Sequence, residues 1–313
     1  MKLLIALGGN AMTAPDGSAR PEDQRRAIEQ AMETVADLIA QGHDVILTHG
    51  NGPQVGNLLV KNELAAQTVP PVSLDWCGAQ TQGTIGFTVL NALEGSLQRR
   101  GIDRPTAAIV TRTLVDADDP AFAEPSKPVG RFLPADQAQP LVDLGQNWQD
   151  RGEKGWRRVV ASPQPVEVAD WRAIRTLVEA GFVVVAGGGG GIPVTRLADG
   201  TLAGVEAVID KDLTAAMLAH QLDVDALVIA TDVPYAVIGY GTQQARNVER
   251  VTITEMEHLA AEGHFASGSM APKVEAALRF VRAGGTTSII TALDTIADAL
   301  AGTTGTVIVA DPA

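Results

Sequence analysis

The stretch Asp44-Val45-Ile46-Leu47-Thr48-His49-Gly50-Asn51-Gly52-Pro53-Gln54-Val55-Gly56 decides how the rest of the chain is read. It passes from a strand-like run, 44–48, through glycines into helical spacing over 53–66. A short apolar run of this kind reads as a strand covered on both faces. Glycines at its end let backbone N–H groups approach an anion, and a helix beginning there adds its positive end. The same grammar recurs upstream, where 2–7 reads as a strand ending in Gly8-Gly9-Asn10, with a helix over 21–41. Downstream come helix 75–99, strand 106–111, helix 169–180 and strand 182–186, which runs into Gly187–Gly191. Helix 213–222, strand 226–230, helices 253–262 and 270–282, strand 287–291, helix 294–301 and strand 305–309 complete the series. Alternating strands and helices predict an α/β fold, a mostly parallel sheet with helices on both faces. Ligands of open sheets bind outside the carboxyl ends of the strands, and parallel topology would bring the three glycine loops to that one edge.

Two segments fall outside this rhythm. Residues 116–165 hold seven prolines and little periodicity, which predicts a lid or small subdomain. Residues 195–207 read as a hairpin turning at Asp199-Gly200. The expected organisation is an N-terminal lobe, 1–205, that includes the lid, and a C-terminal lobe, 206–313.

Composition narrows the function. The chain has 313 residues, a formal charge of −13, 45% hydrophobic and 19% charged residues, ordinary for a globular protein with a large core. The acidic balance argues against broad nucleic-acid binding and against docking on an anionic membrane. No segment is apolar for long enough to span a bilayer, and the first apolar run is too short for a signal peptide, so the expected compartment is the cytoplasm. The single Cys77 excludes an internal disulfide and a structural cysteine zinc site, and its helical context reads as packing. The histidines have no metal-ligand spacing; His49 adjoins a glycine loop, where a structural role is expected over a ligand contact. Walker, Rossmann and protein-kinase fingerprints are absent.

Lysine is scarce, with six residues against eighteen arginines, and three of the six lie in loops or at helix entries. Lys211 stands in Asp210-Lys211-Asp212, with Asp212 suited to the N-cap of the next helix. A cation near a helix N-terminus is unfavourable unless an anion joins it, so a phosphate there would be held with Asp210 orienting the ammonium. The alternative is a surface lysine between two carboxylates. Lys273 follows Pro272 at the entry of helix 270–282, and Lys127 sits in the lid. Phosphoryl transfer needs chiefly positioning and charge neutralisation, which three lysines and glycine loops could supply without a covalent nucleophile. Arg157-Arg158 could face the lid interior or cap it. Tyr235 and Tyr240, after strand 226–230, could wall an adenine pocket.

At these residues the chain resembles the carbamate kinases of the amino-acid kinase superfamily, nearly end to end. The resemblance rests on Ala6–Ala11, His49–Gly56, Gln80–Gly86, Pro125–Gly130, Gly155–Val160, Gly188–Val194, Asp210–Asp212, Gly268–Met270 and Pro272–Ala277. It implies an open three-layer α/β/α sandwich with a protruding lid, and a homodimer. It also implies reversible phosphoryl transfer between ATP and carbamate with Mg²⁺ on the nucleotide, usually run toward ATP at the end of fermentative arginine breakdown. By matching position, Lys211, Lys127 and Asp210 are the expected catalytic residues, Lys211 bridging the transferring group and Asp210 organising the lysines. Gly8, Gly9, Asn10, Gly50, Asn51, Gly52, Gly188 and Gly189 are expected at the small substrate. Lys273, Asp212, Thr231, Asp232, Tyr235 and Met270 are expected on the nucleotide side. No protein metal ligand is expected. Arg131 and Leu133 stand where proline and tyrosine are common, and Ser267 and Ala271 where proline and glycine are. Those departures leave room for a relative acting on another small carboxylate or phosphonate; a nucleotide-binding sensor without catalysis is the remaining alternative.

Overall fold

The structure, a computed structural model, describes residues 1–13, 20–265 and 270–312. The first part of the chain forms β1 (Lys2–Leu7), α1 (Pro21–Ala40), β2 (Asp44–His49), α2 (Gly52–Ala65), α3 (Leu74–Arg99), β3 (Thr106–Ala108) and β4 (Arg112–Val115). The lid region follows with β5 (Lys127–Leu133), α4 (Ala135–Asp143), β6 (Trp148–Asp150) and β7 (Trp156–Val160). Next come β8 (Pro165–Val168), α5 (Trp171–Glu179), β9 (Val183–Val185), β10 (Ile192–Arg196) and β11 (Leu202–Gly204). The remainder is α6 (Lys211–Gln221), β12 (Ala226–Thr231), β13 (Ala236–Ile238), β14 (Arg246–Val248), β15 (Arg250–Thr252), α7 (Ile253–Ala261), α8 (Met270–Arg282), β16 (Thr287–Ala292), α9 (Ile296–Leu300) and β17 (Thr306–Val309).

Eight strands form one central sheet in the order β15-β17-β16-β12-β1-β2-β9-β3. Every pairing in it is parallel except β16 with β17. β1 and β12 are apolar along nearly their whole length because helices cover both faces. One face packs on α5, α6, α7 and α8 through residues such as Ile46, Leu218, Leu227 and Phe280. The other packs on α1, α3 and α9 through Leu3, Ile5, Met32, Leu93 and Val228. Strands from before residue 205 fill one half of this sheet and those from after 206 the other, joined by the β1–β12 ladder.

Three smaller sheets lie outside this layer, one of them the two-stranded β13-β14. β11-β10-β4-β8 contains the expected hairpin, with β10 antiparallel to β11. The lid is β5-β7-β6, an antiparallel sheet backed by α4 around Leu133, Ala138 and Trp148. The strand expected over 106–111 stops at Ala108. Gln82 of α3 is the reason: its side chain bonds both backbone groups of Thr111, at 2.8 and 3.1 Å, and draws the chain out of the ladder. The helix expected over 294–301 begins as a tight turn, Leu293–Thr295, before α9.

Candidate active site

α6 starts at the carboxyl edge of the central sheet with Asp210-Lys211-Asp212. The N-cap is Asp210, not Asp212 as the sequence suggested: its side chain accepts from the Asp212 N–H at 2.9 Å. A capping oxygen must precede the N–H it serves by two or three residues. That leaves the Asp212 carboxylate inside the first turn, only 3% exposed and available to other partners.

Those partners are lysines. Lys211 donates to Asp212 Oδ1, and Lys273, from the first turn of α8, donates to Oδ2 of the same carboxylate at 3.2 Å. Lys127, the first residue of the lid strand β5, donates to Asp210 Oδ2 at 2.9 Å. The organising duty expected of Asp210 alone is thus divided. Asp210 takes the lid lysine, and Asp212 takes the two from the body. Burial pushes the Asp212 carboxyl up, but the ammonium groups of Lys211 and Lys273 outweigh it and hold the group below the ordinary carboxylate range.

These charges border a cavity of about 800 Å³ that also exposes Gly50, Asn51, Gly52, Gly189 and Arg157. The Lys211 stem crosses the bare α-carbon of Gly50, and a Cβ there would lie 3.5 Å from Lys211 Cδ. Gly9 and Gly52 have open space where a side chain would project. Gly8 packs on β12: a Cβ would sit 3.0 Å from the Ala230 carbonyl oxygen. Asn51 donates to Thr81 Oγ1 at 2.9 Å, which aims its side chain from the loop onto α3. Asn10 has a described backbone, in the turn Gly9–Met12, and its side chain lies outside the described residues, as do Ser267, Gly268 and Ser269.

The run Gly187–Gly191 is built differently. Gly187, Gly189, Gly190 and Gly191 all have positive φ, and Cβ atoms at Gly188, Gly189, Gly190 and Gly191 would collide with His49, Asn51, Ile209 and Thr113. Thr48, Thr113 and Thr214 each donate to a carbonyl of the run at 2.9 Å. His49 is buried between the loops, with Nδ1 2.8 Å from the Gly50 carbonyl oxygen. Burial, with the Lys211 charge acting the same way, lowers its pKa to about 4, so the ring is neutral at pH 7 and donates that bond.

The residues expected on the nucleotide side do not all meet in this cavity. Lys273 and Asp212 line it. Thr231 and Asp232 line a second cavity of about 580 Å³, with Gly8 and residues of α1. Met270 is half-buried against the core, Tyr235 is half-buried and Tyr240 is 82% exposed. No role was expected of Thr81 and Gln82, which sit on the buried face of α3 and hold Asn51 and the Gly188 carbonyl. Two adjacent polar residues on the buried side of an amphipathic pattern were the signal available.

The lid meets the body through two glycines. The β5–β7 register shifts between Val129 and Phe132, and the displaced Gly130, at φ +67°, brings its Cα to 3.5 Å from the Cβ position of Gly56 on α2. Arg131 beside it pairs with Glu63 of α2 at 3.2 Å, and Arg158 of β7 pairs with Glu206 at 3.2 Å. Leu133 is buried in the lid's own core, and Ala271 packs against the main one.

The sequence profile of the amino acid kinase family matches residues 1–292, and the chain belongs to that family. Within it the chain is 44% identical to a carbamate kinase of Thermococcus kodakarensis over 312 residues, 98% of this chain and 99% of that one. It is also 44% identical, over 98% of both chains, to a carbamate kinase-like protein of Escherichia coli. The structure of a carbamate kinase from Giardia lamblia bound to AMP-PNP superimposes with a TM-score of 0.94 at 41% identity, covering 99% of this chain and 98% of that one.

Proposed function

We propose that this protein is a carbamate kinase, an ATP-dependent phosphotransferase with a carboxylate-type acceptor. The observation that carries the reading is the convergence of Lys127, Lys211 and Lys273 on one glycine-edged cavity, organised by Asp210 and Asp212. Full-length similarity to carbamate kinases supports it.

The chemistry asks little covalent work of the protein. The carbamate oxygen is already anionic, so the attack on the terminal phosphoryl group requires no general base. What remains is to hold two anions in line and to neutralise charge on the transferring group. In this reading the loops Gly8–Asn10 and Gly50–Gly52 receive the small substrate with N–H donors. Lys127 closes over it from the lid, Lys211 spans the transferring phosphoryl group, and Lys273 meets the nucleotide phosphates. Gly188 and Gly189 form the wall behind the small substrate. Thr231, Asp232, Tyr235 and Met270 are assigned to the nucleoside side of the same edge, residues 1–205 acting as the substrate lobe and 206–313 as the nucleotide lobe.

Mg²⁺ is implied with the nucleotide. It takes oxygen ligands from phosphates and one or two carboxylates, and Asp210 and Asp212 offer donors of that kind at the cavity. Bound there, it would neutralise phosphate oxygens. The net direction proposed is ATP synthesis from carbamoyl phosphate and ADP in arginine breakdown, in the cytoplasm. No described helix is long and apolar enough to cross a membrane. A homodimer is proposed through α3, whose Trp76 and Phe87, on one helical face, are 62% and 52% exposed.

The test is ATP formation from ADP, Mg²⁺ and carbamoyl phosphate, with Lys211→Ala and Asp212→Asn as controls. We expect turnover to fall by about 10³-fold in each with ADP binding retained. A folded, ADP-binding wild type that makes no ATP from carbamoyl phosphate, yet consumes ATP with another small acid, would overturn the substrate assignment.

A further inference from the structure

Arg157 stands in the middle strand of the lid sheet, opposite Phe132 on β5 and Gln149 on β6, and its side chain borders the cavity. Its guanidinium lies over the Phe132 ring, 4.9 Å from its centre. Its Nε is buried without a hydrogen-bond partner, and no ion pair holds it among the described residues. Burial and the nearby charge of Arg151 both work against its protonated form. Every other arginine of the lid side is engaged: Arg131 with Glu63, Arg151 with Gln149, Arg158 with Glu206. A half-buried guanidinium with an orphaned donor is costly unless something anionic arrives.

Charge accounting says what that anion is. Three lysines against two aspartates leave one net positive charge at the centre of the cavity. An acyl phosphate carries close to two negative charges at neutral pH, so the lysine cluster alone is one charge short. Arg20 also lines the cavity but is exposed to solvent, whereas Arg157, half-buried on the lid side of the cavity, supplies the second. Its fork matches phosphate oxygens bidentately, which an ammonium cannot do. It also comes from the lid, as Lys127 and the Gly130–Gly56 contact do, whereas Lys273 comes from α8 of the body.

We propose that Arg157 is the anion-gripping residue of the lid, binding the phosphoryl oxygens of the small substrate and completing the positive charge of its subsite. This rests on the carbamate kinase reading for the identity of the substrate. The requirement for a doubly charged phosphoryl ligand does not.

The experiment is steady-state ATP formation by wild type, Arg157→Lys and Arg157→Ala, varying carbamoyl phosphate and ADP separately, with thermal melting as a check on folding. In parallel, binding of inorganic phosphate is followed by calorimetry. We expect the KM for carbamoyl phosphate to rise about 100-fold in Arg157→Ala and about 10-fold in Arg157→Lys, with the KM for ADP within threefold of wild type. Phosphate binding should weaken in the same order. An unchanged KM for carbamoyl phosphate in an active variant, or an equal rise for ADP, would overturn the assignment. If the wild type makes no ATP from carbamoyl phosphate, the substrate reading fails by itself. Calorimetry then decides Arg157 separately: weaker phosphate binding in the alanine variant supports the role, and equal binding overturns it.

Discussion

Three glycine loops follow β1, β2 and β9, and they are glycine for opposite reasons. In Gly187–Gly191 the backbone is left-handed at most positions, and from Gly188 to Gly191 each missing side chain is a space already occupied by His49, Asn51, Ile209 or Thr113. Around Gly9 and Gly52 the space is vacant. The run after β9 needs glycine in order to fold, whereas positions 9 and 52, in the other two loops, have glycine with no neighbour to exclude a side chain. Identical composition therefore conceals a scaffold and a ligand surface, and the contact made by a hypothetical Cβ separates them.

The sharpest way to break this contrast is Gly190→Ala. The new Cβ would stand 2.3 Å from the Ile209 carbonyl oxygen at a φ of +89°, and we expect a loss of about 4 kcal/mol or more in urea unfolding. A variant as stable as wild type would remove the distinction altogether. His49, the wall common to the loops after β2 and β9, gives the next effect. Its folded pKa of about 4 lies below the unfolded value of about 6.5. The unfolded chain therefore takes up the proton first, and stability is lost as pH falls through that window. We expect a loss of about 2 kcal/mol between pH 7 and pH 5, with that part of the slope missing in His49→Gln. An identical slope in the variant would show that His49 is not the titrating group.

Gly52→Ala tests a vacant position. Position 52 begins α2, where alanine is a good helix former, so the unfolding midpoint should not move. The KM for carbamoyl phosphate should rise about tenfold, a difference of about 1.4 kcal/mol. An unchanged KM would mean that the vacant space is not used. Smallest of all is Glu63→Gln, which removes the partner of the lid residue Arg131. Both side chains reach solvent, so the cost in thermal unfolding should be no more than about 0.5 kcal/mol. A larger loss would make this pair a principal attachment of the lid.

The central sheet was readable because its strands are short apolar runs and its helices have regular spacing. Neither signal depends on distant parts of the chain. β3 was misjudged because its end is set by Gln82, a side chain 29 residues away from Thr111. The lid was visible only as an interruption, since its small antiparallel sheet buries too little for strong alternation, as the half-exposed pattern of β5 shows. Asp210-Lys211-Asp212 announced itself by charge at a helix start. Which carboxylate caps and which gathers lysines was set by Lys127 and Lys273, which lie 83 and 61 residues from the aspartates they reach. Arg157 drew notice only as one of a pair, because its lack of a partner belongs to the folded molecule.

The lysine–aspartate pairs have one further consequence. Each ammonium group already rests on a carboxylate, Lys127 on Asp210, with Lys211 and Lys273 sharing Asp212. An arriving phosphate thus does not fill an open field of charge; it competes with carboxylates that cannot leave. The cavity behaves as a fixed-bed ion exchanger, its lysine charges largely offset but one in excess between turnovers. A departing product is displaced by groups already at hand. In a protein with a net charge of −13, that arrangement holds cations at a depth the surrounding field would otherwise fill with stray ions.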